Sequence, residues 1–365
     1  MQVRAMVQTG PRALELRTFP LPEIDEDSGL LRVEACGICG SDYEQYTGTL
    51  PVRYPVIPGH EPVGVIERLG GRAAKRWGVR EGDRVAVEVI IPCGHCWLCR
   101  SGRYSLCRGR NGGLYGYSYI PIDHPPGLWG GYAEYLYLHP DAIVHKISPD
   151  LPAHLAVLFN PLGAGFRWAV EVPHTGPGDT VLILGPGQRG LASVLAARAA
   201  GADRIIVTGL SRDRHKLDLA LRLGADHVID VEQEDAASKV FEYTGGRGAD
   251  VVVEVTAFST APVAEALRYA AVGGRVVLAG VKGFKPVPDF VSDWVVAKEL
   301  TLYGVLGVTS KAYRSAIRLI ESRRAEVELL HTHSFPLEEA ERALRVLGGE
   351  VPGASSICSC IVPGS

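Results

Sequence analysis

Four cysteines fall within fifteen residues: Cys93, Cys96, Cys99 and Cys107, separated by two, two and seven intervening positions. Four thiolates so close in the chain can surround one tetrahedral Zn²⁺ and leave no position for water. Such a lobe builds structure, and the reaction centre has to be sought elsewhere. A disulfide cluster is the competing reading. The chain opens Met1-Gln2-Val3-Arg4 and runs into a strand-like segment without the apolar core of a signal peptide. A cytoplasmic location and a metal lobe are therefore expected rather than disulfides. The cysteine spacing also differs from ferredoxin-type iron–sulfur patterns. Cys358 and Cys360 have no nearby partners at ligand spacing and read as inert residues of a tail or an edge strand.

A chain of 365 residues is too long for one ordinary core and points to two domains. Net charge is −3, and no basic run or apolar stretch of spanning length occurs. Nucleic acid and membrane are thereby disfavoured as partners. Up to about residue 160 the pattern is short strands punctuated by Gly and Pro, such as 29–36, 64–70 and 83–90. From about 175 the texture changes to strands at 181–185, 204–209, 227–231, 249–255 and 275–280, alternating with helices at 191–201, 213–225 and 261–270. That alternation predicts an α/β fold with a Rossmann-type doubly wound parallel sheet. An apolar strand at 300–305 and helices at 311–324 and 337–347 follow. The expected organisation is a β-rich domain over 1–161 with the zinc lobe at 92–108, a dinucleotide-binding domain over 162–304, and a return to the first domain over 305–365.

Gly185-Pro186-Gly187-Gln188-Arg189-Gly190 is a G-x-G-x-x-G run placed between a strand and a helix. Gly185 permits the tight turn, Gly187 lets the backbone approach a pyrophosphate, and Gly190 lets helix and strand pack closely. The helix N-terminus adds free N–H groups and partial positive charge. The acid that would hold the ribose of NAD is missing where the second strand ends, at Val207-Thr208-Gly209. Ser211, Arg212, Asp213 and Arg214 follow. Arg212 and Arg214 suit the 2′-phosphate of NADP, Asp213 suits the ribose of NAD, and all three also read as the solvated start of a helix, so the cofactor is NAD or NADP.

Upstream, Cys39 and His60 are good zinc-ligand types, but their spacing alone does not bring them together. Taken in order, Gly37-Ile38-Cys39-Gly40-Ser41-Asp42, Gly59-His60-Glu61, the four-cysteine lobe and the strand-flanked G-x-G-x-x-G resemble the zinc-dependent medium-chain alcohol dehydrogenases. The resemblance spans nearly the whole chain and implies a GroES-like catalytic domain beside the cofactor domain. It further implies one structural and one catalytic zinc per chain, with Cys39 and His60 on the catalytic ion between the domains. Ser41 would take the substrate's hydroxyl proton, Asp42 would fix the His60 tautomer, and Glu61 would enter or leave the coordination sphere; Glu44 and Tyr46 are possible extensions of the proton path. At the third-ligand position relatives carry Cys, Glu or Asp, and this chain has Asn160 in Phe159-Asn160-Pro161-Leu162-Gly163. Direct Asn160 ligation, an Asn160-bridged water, Glu61 as the working ligand and a poorly bound zinc are the alternatives. Cys36 and His154 rank below them.

The resemblance implies reversible oxidation of an alcohol to a ketone or aldehyde, with a small-molecule substrate and a homodimer or homotetramer. Tyr115, Tyr117, Tyr119 and Trp129, in the segment 112–129, favour a fairly hydrophobic secondary alcohol if they line the site; a packed surface loop is the alternative. Phe284, Phe290 and Trp294 are further candidates. A polyol or hydroxy-amino-acid dehydrogenase is the runner-up within the family. A zinc-free enone or quinone reductase, or a non-catalytic nucleotide-binding protein with only the structural zinc, stands outside it.

Overall fold

The structure is a computed structural model, and it describes residues 1–109 and 115–364. Two compact units divide the chain, one formed by 1–159 and 331–365, the other by 160–330. The expected return at 305 thus falls at His331. The helix Ser310–Ser322 explains the shift, because its buried face (Ala312, Tyr313, Ala316, Ile317 and Ile320) serves the second unit's core. Within that unit a Cβ on Gly163 would lie 2.9 Å from the Tyr313 ring.

In the first unit, six strands run in the order His331–Pro336, Cys358–Val362, Gly29–Ile38, Glu61–Leu69, Arg84–Val87, Val144–Lys146, with Tyr135–Leu138 also paired to Gly29–Ile38. Gly29–Ile38 carries the long apolar run expected of a strand covered on both faces. Gly64 allows its neighbour to come close: a Cβ there would lie 2.1 Å from the Arg32 carbonyl oxygen. Cys358 and Cys360 sit in an interior strand between two neighbours and are buried, which corrects the tail or edge reading. The strand's pairing partner is more than 300 residues upstream in sequence, so no local pattern announces it.

In the second unit, six parallel strands run in the order His227–Asp230, Arg204–Gly209, Thr180–Leu184, Ala249–Glu254, Ala270–Leu278, Thr301–Gly304. Residues of Thr180–Leu184 are all buried, as befits a central parallel strand. The chain reverses direction across the sheet at this strand, the place where open α/β sheets bind ligands beyond the carboxyl ends. The helix Ala236–Tyr243, capped by Asp235 accepting from Ala237 and Ser238 N–H groups, escaped the sequence reading.

Candidate metal and dinucleotide sites

Cys39 stands immediately before the helix Gly40–Thr47, at the end of the strand Gly29–Ile38. Its backbone N–H donates to Asp42 Oδ2 at 2.8 Å, so the third residue of the helix closes back over the first turn. The other oxygen, Asp42 Oδ1, lies 3.0 Å from His60 Nδ1. A carboxylate can only accept, so Nδ1 carries the proton and Nε2 presents its lone pair. One buried carboxylate therefore fixes both the approach of Cys39 and the tautomer of His60. Burial is the largest single influence and opposes a charged His60, but the charge and hydrogen bond of Asp42, with Tyr119 and Cys39, together raise the imidazole well above its ordinary value.

His60 is carried by a turn that only glycine permits. Gly59 has φ +90°, and a Cβ there would meet the Tyr132 ring at 2.4 Å and Cys36 Sγ at 2.9 Å. Glu61 opens the next strand, with Oε1 3.8 Å from His60 Nε2. Cys39 Sγ, a His60 ring nitrogen and a Glu61 oxygen all lie within 4.8 Å of one another, and all three residues are buried. Sulfur, imidazole nitrogen and carboxylate oxygen suit zinc, and three protein donors leave a fourth position open. Ser41 Oγ is 3.4 Å from His60 Nε2.

Tyr119 lies beside the same group, its ring 6.3 Å from the His60 ring. Sequence reasoning placed Tyr119 only in an aromatic segment, and no spacing signal ties it to His60. Tyr117 and Trp129 are core residues instead, and residues 112–114 of that segment lie outside the described residues. Tyr46 donates to Glu341 at 2.7 Å and so directs its proton away from Ser41. Burial, then the Cys39 thiol, raise the Glu44 carboxyl. Cys36 and His154 stand outside the donor group, and His154 is exposed and rests 4.8 Å from the His331 ring.

The second cluster is the lobe. The sulfurs of Cys93, Cys96, Cys99 and Cys107 lie within 4.8 Å of one another, with Cys93–Cys99 at 4.0 Å and Cys96–Cys107 at 3.9 Å. Sulfurs about 2.3 Å from a tetrahedral zinc are about 3.8 Å apart, so the spacing fits that ion. Backbone N–H groups of Cys93, Cys96, Cys99 and Gly109 point at sulfurs at 3.4 to 3.5 Å. The N–H groups of Cys96 and His95 lower the Cys93 thiol to about 6, toward the thiolate a metal requires. Tyr104 ties the lobe to the sheet by donating to buried Glu88 at 2.9 Å, and Glu88 also meets His145 at 2.7 Å. These two groups are the metal-competent clusters among the described residues.

In the second unit the Gly185–Gly190 turn has the shape a dinucleotide needs. Gly185 adopts φ +109°, and a Cβ on Gly190 would lie 1.9 Å from the Gly185 oxygen. Gly187 caps the twelve-residue helix Gln188–Ala199, and a Cβ there would meet nothing within 4 Å, so the space before the helix is open. A Cβ on Gly209 would press on Pro186 at 2.8 Å, which keeps the second strand's end close to the turn. Beyond it Ser211 donates to Asp230 at 2.7 Å, and its N–H donates to Glu232 at 2.8 Å. Asp213 is paired with Lys216 at 2.8 Å and Arg214 with Asp218 at 3.0 Å, whereas Arg212 is exposed without an ion pair among the described residues.

Asn160, in the helix Phe159–Phe166, is buried with both ends of its amide engaged inside the second unit. Nδ2 donates to the Tyr313 hydroxyl at 3.2 Å, and Oδ1 accepts from Arg189 Nη1 at 2.9 Å.

Comparison with known proteins agrees with this geometry. Residues 25–149 match the family described as the alcohol dehydrogenase GroES-like domain, and residues 190–322 match the zinc-binding dehydrogenase family. A "Probable alcohol dehydrogenase" of Mycobacterium tuberculosis is 49% identical over 363 residues, covering 99% of this chain and 98% of that protein. The erythritol/L-threitol dehydrogenase of Mycolicibacterium smegmatis is 34% identical over 374 residues, with 99% and 98% covered. Among solved structures, an alcohol dehydrogenase from Thermotoga maritima superposes with a TM-score of 0.88 at 27% identity, covering 100% of both chains. Two metal-competent clusters, a glycine-lined dinucleotide turn and full-length kinship of this degree lead to one conclusion: the chain belongs to the zinc-dependent medium-chain alcohol dehydrogenase family.

Proposed function

We propose that this protein oxidises a secondary, fairly hydrophobic alcohol reversibly to its ketone, using NAD(P) and a catalytic zinc held by Cys39, His60 and Glu61. The observation that carries the reading is the buried donor triad with His60 turned by Asp42 so that Nε2 faces the other two donors. Zinc bound there supplies Lewis-acid polarisation of the alcohol oxygen, and the nicotinamide accepts the hydride. Ser41 Oγ stands beside Nε2 and takes the substrate's hydroxyl proton. Asp42 keeps the imidazole proton on Nδ1 throughout. The tight turn at Gly185–Gly190 and the N–H groups opening Gln188–Ala199 receive the pyrophosphate.

The Tyr119 ring beside His60 supports an apolar or ring-bearing substrate over a small polyol. Relatives named for polyols and for L-threonine keep the polyol or hydroxy-amino-acid reading as the alternative. The free guanidinium of Arg212 supports NADP, since Asp213 is already spent on Lys216. An exposed edge strand, Thr301–Gly304, with exposed Leu302 and Leu306 supports a homodimer or a tetramer of dimers. No helix among the described residues is long and apolar enough to cross a membrane, which accords with a cytoplasmic enzyme.

The test is zinc content per chain together with an alcohol panel run with NAD and with NADP. Two zincs and turnover of secondary alcohols are expected. One zinc with no turnover identifies a nucleotide-binding protein that keeps only its structural ion.

A further inference from the structure

The resemblance puts Asn160 where the third metal ligand would stand, yet its surroundings suit a different task. The atom of an asparagine able to bind zinc is Oδ1, and here that oxygen accepts from Arg189 Nη1 at 2.9 Å. A guanidinium only donates, so the oxygen must face it. Zinc sharing that oxygen would sit against a fixed positive charge, a repulsive arrangement. The amide's other end donates to Tyr313, and Asn160 is buried between two partners that arrive from distant parts of the sequence. Residues 150–189, which include both Asn160 and Arg189, lie outside the two family matches.

Arg189 is the second residue of the helix Gln188–Ala199, directly after the open Gly187. Helical side chains lean toward the helix N-terminus, here the end that meets the cofactor's phosphates. Its guanidinium carbon lies 5.9 Å from the Trp168 ring centre, and Trp168 is itself held by donating to the Gly307 oxygen at 3.2 Å. A neutral amide orients the guanidinium without neutralising it, which a carboxylate at position 160 would do. We propose that Asn160 is a positioning residue for Arg189, that Arg189 so held engages the anionic phosphates of the dinucleotide, and that Asn160 is not a zinc ligand. The proposal rests on the zinc- and NAD(P)-dependent reading above.

The test compares wild type, Asn160→Ala, Arg189→Leu, Arg189→Lys and the Asn160→Ala/Arg189→Leu double variant. Two quantities are read: zinc per chain by elemental analysis, and nucleotide Kd by fluorescence titration at low and high salt. Zinc content should equal the wild-type value in every variant. Arg189→Leu and Asn160→Ala should each weaken nucleotide binding, the former about tenfold, as for loss of a hydrogen bond to a charged group. The double variant should bind no more weakly than Arg189→Leu, because the two residues act as one unit. Salt should weaken binding less in Arg189→Leu than in wild type, while Asn160→Ala and Arg189→Lys keep the wild-type salt response. A purely structural asparagine would instead give a loss that adds to that of Arg189→Leu. Loss of one zinc in Asn160→Ala, an unchanged Kd in Arg189→Leu, or additive losses in the double variant overturns the proposal. Wild type with one zinc, or without nucleotide affinity, overturns the reading beneath it instead.

Discussion

The two metal-competent clusters are built on opposite plans. The lobe gathers four sulfurs from one short stretch, partly exposed and served by its own backbone N–H groups. The Cys39–His60–Glu61 group gathers three different donors, all buried, from the ends of two neighbouring strands, with a carboxylate behind the histidine. A self-contained loop needs little from the fold, so it can close around an ion and stay inert. A group assembled from strand ends inherits its geometry from the whole sheet, and it keeps an open position where chemistry can occur.

That contrast breaks first at the buried group. Cys39→Ser or His60→Ala should remove one zinc per chain and lower kcat by about 10³-fold or more, the scale of losing several kcal/mol of charge stabilisation. Nucleotide Kd should stay at the wild-type value, and wild-type-like rates would end the assignment. Asp42→Asn should weaken zinc binding by about 10- to 100-fold, the cost of removing a partner behind a ligating histidine; zinc titration against a competing chelator reads it. In the lobe, Cys96→Ser should remove the other zinc and lower Tm while leaving kcat of the surviving folded protein closer to wild type than any change at Cys39. Equal kcat losses from both clusters would erase the distinction between them.

The smallest effect concerns the acid response of the unit that carries both clusters. Burial, then His154 and His333, lower His331 to about 4 from an ordinary 6.5. The unfolded chain therefore takes up a proton near 6.5 that the folded chain refuses until about 4. Stability contributed by neutral His331 is complete above 6.5 and declines as pH falls toward 4. Tm should drop between pH 7 and 5, and His331→Asn should flatten that slope by a fraction of it, since the ring is only partly buried and solvent screens the charge.

What could be read from the sequence follows the same division. The lobe and the glycine turn are local, so spacing alone exposed them: Cys93 to Cys107 in one run, Gly185 to Gly190 between a strand and a helix. The parallel sheet was legible because each buried strand is a short apolar run bracketed by helical text. The surroundings of Asn160 were not legible, because its partners Arg189 and Tyr313 lie 29 and 153 residues away. Tyr119 escaped for a related reason: it comes beside His60 from a turn with no regular period. Cys358 and Cys360 looked peripheral because they stand near the chain's end, and strand pairing with Gly29–Ile38 made them interior.

Gly37 carries one more consequence. A Cβ at this position would stand 2.4 Å from Glu61 Oε2, so the carboxylate occupies the notch that the missing side chain leaves. Filled even by a methyl group, that notch would force Glu61 to give up its pose. A residue without a side chain thereby sets where one donor of the buried group can lie.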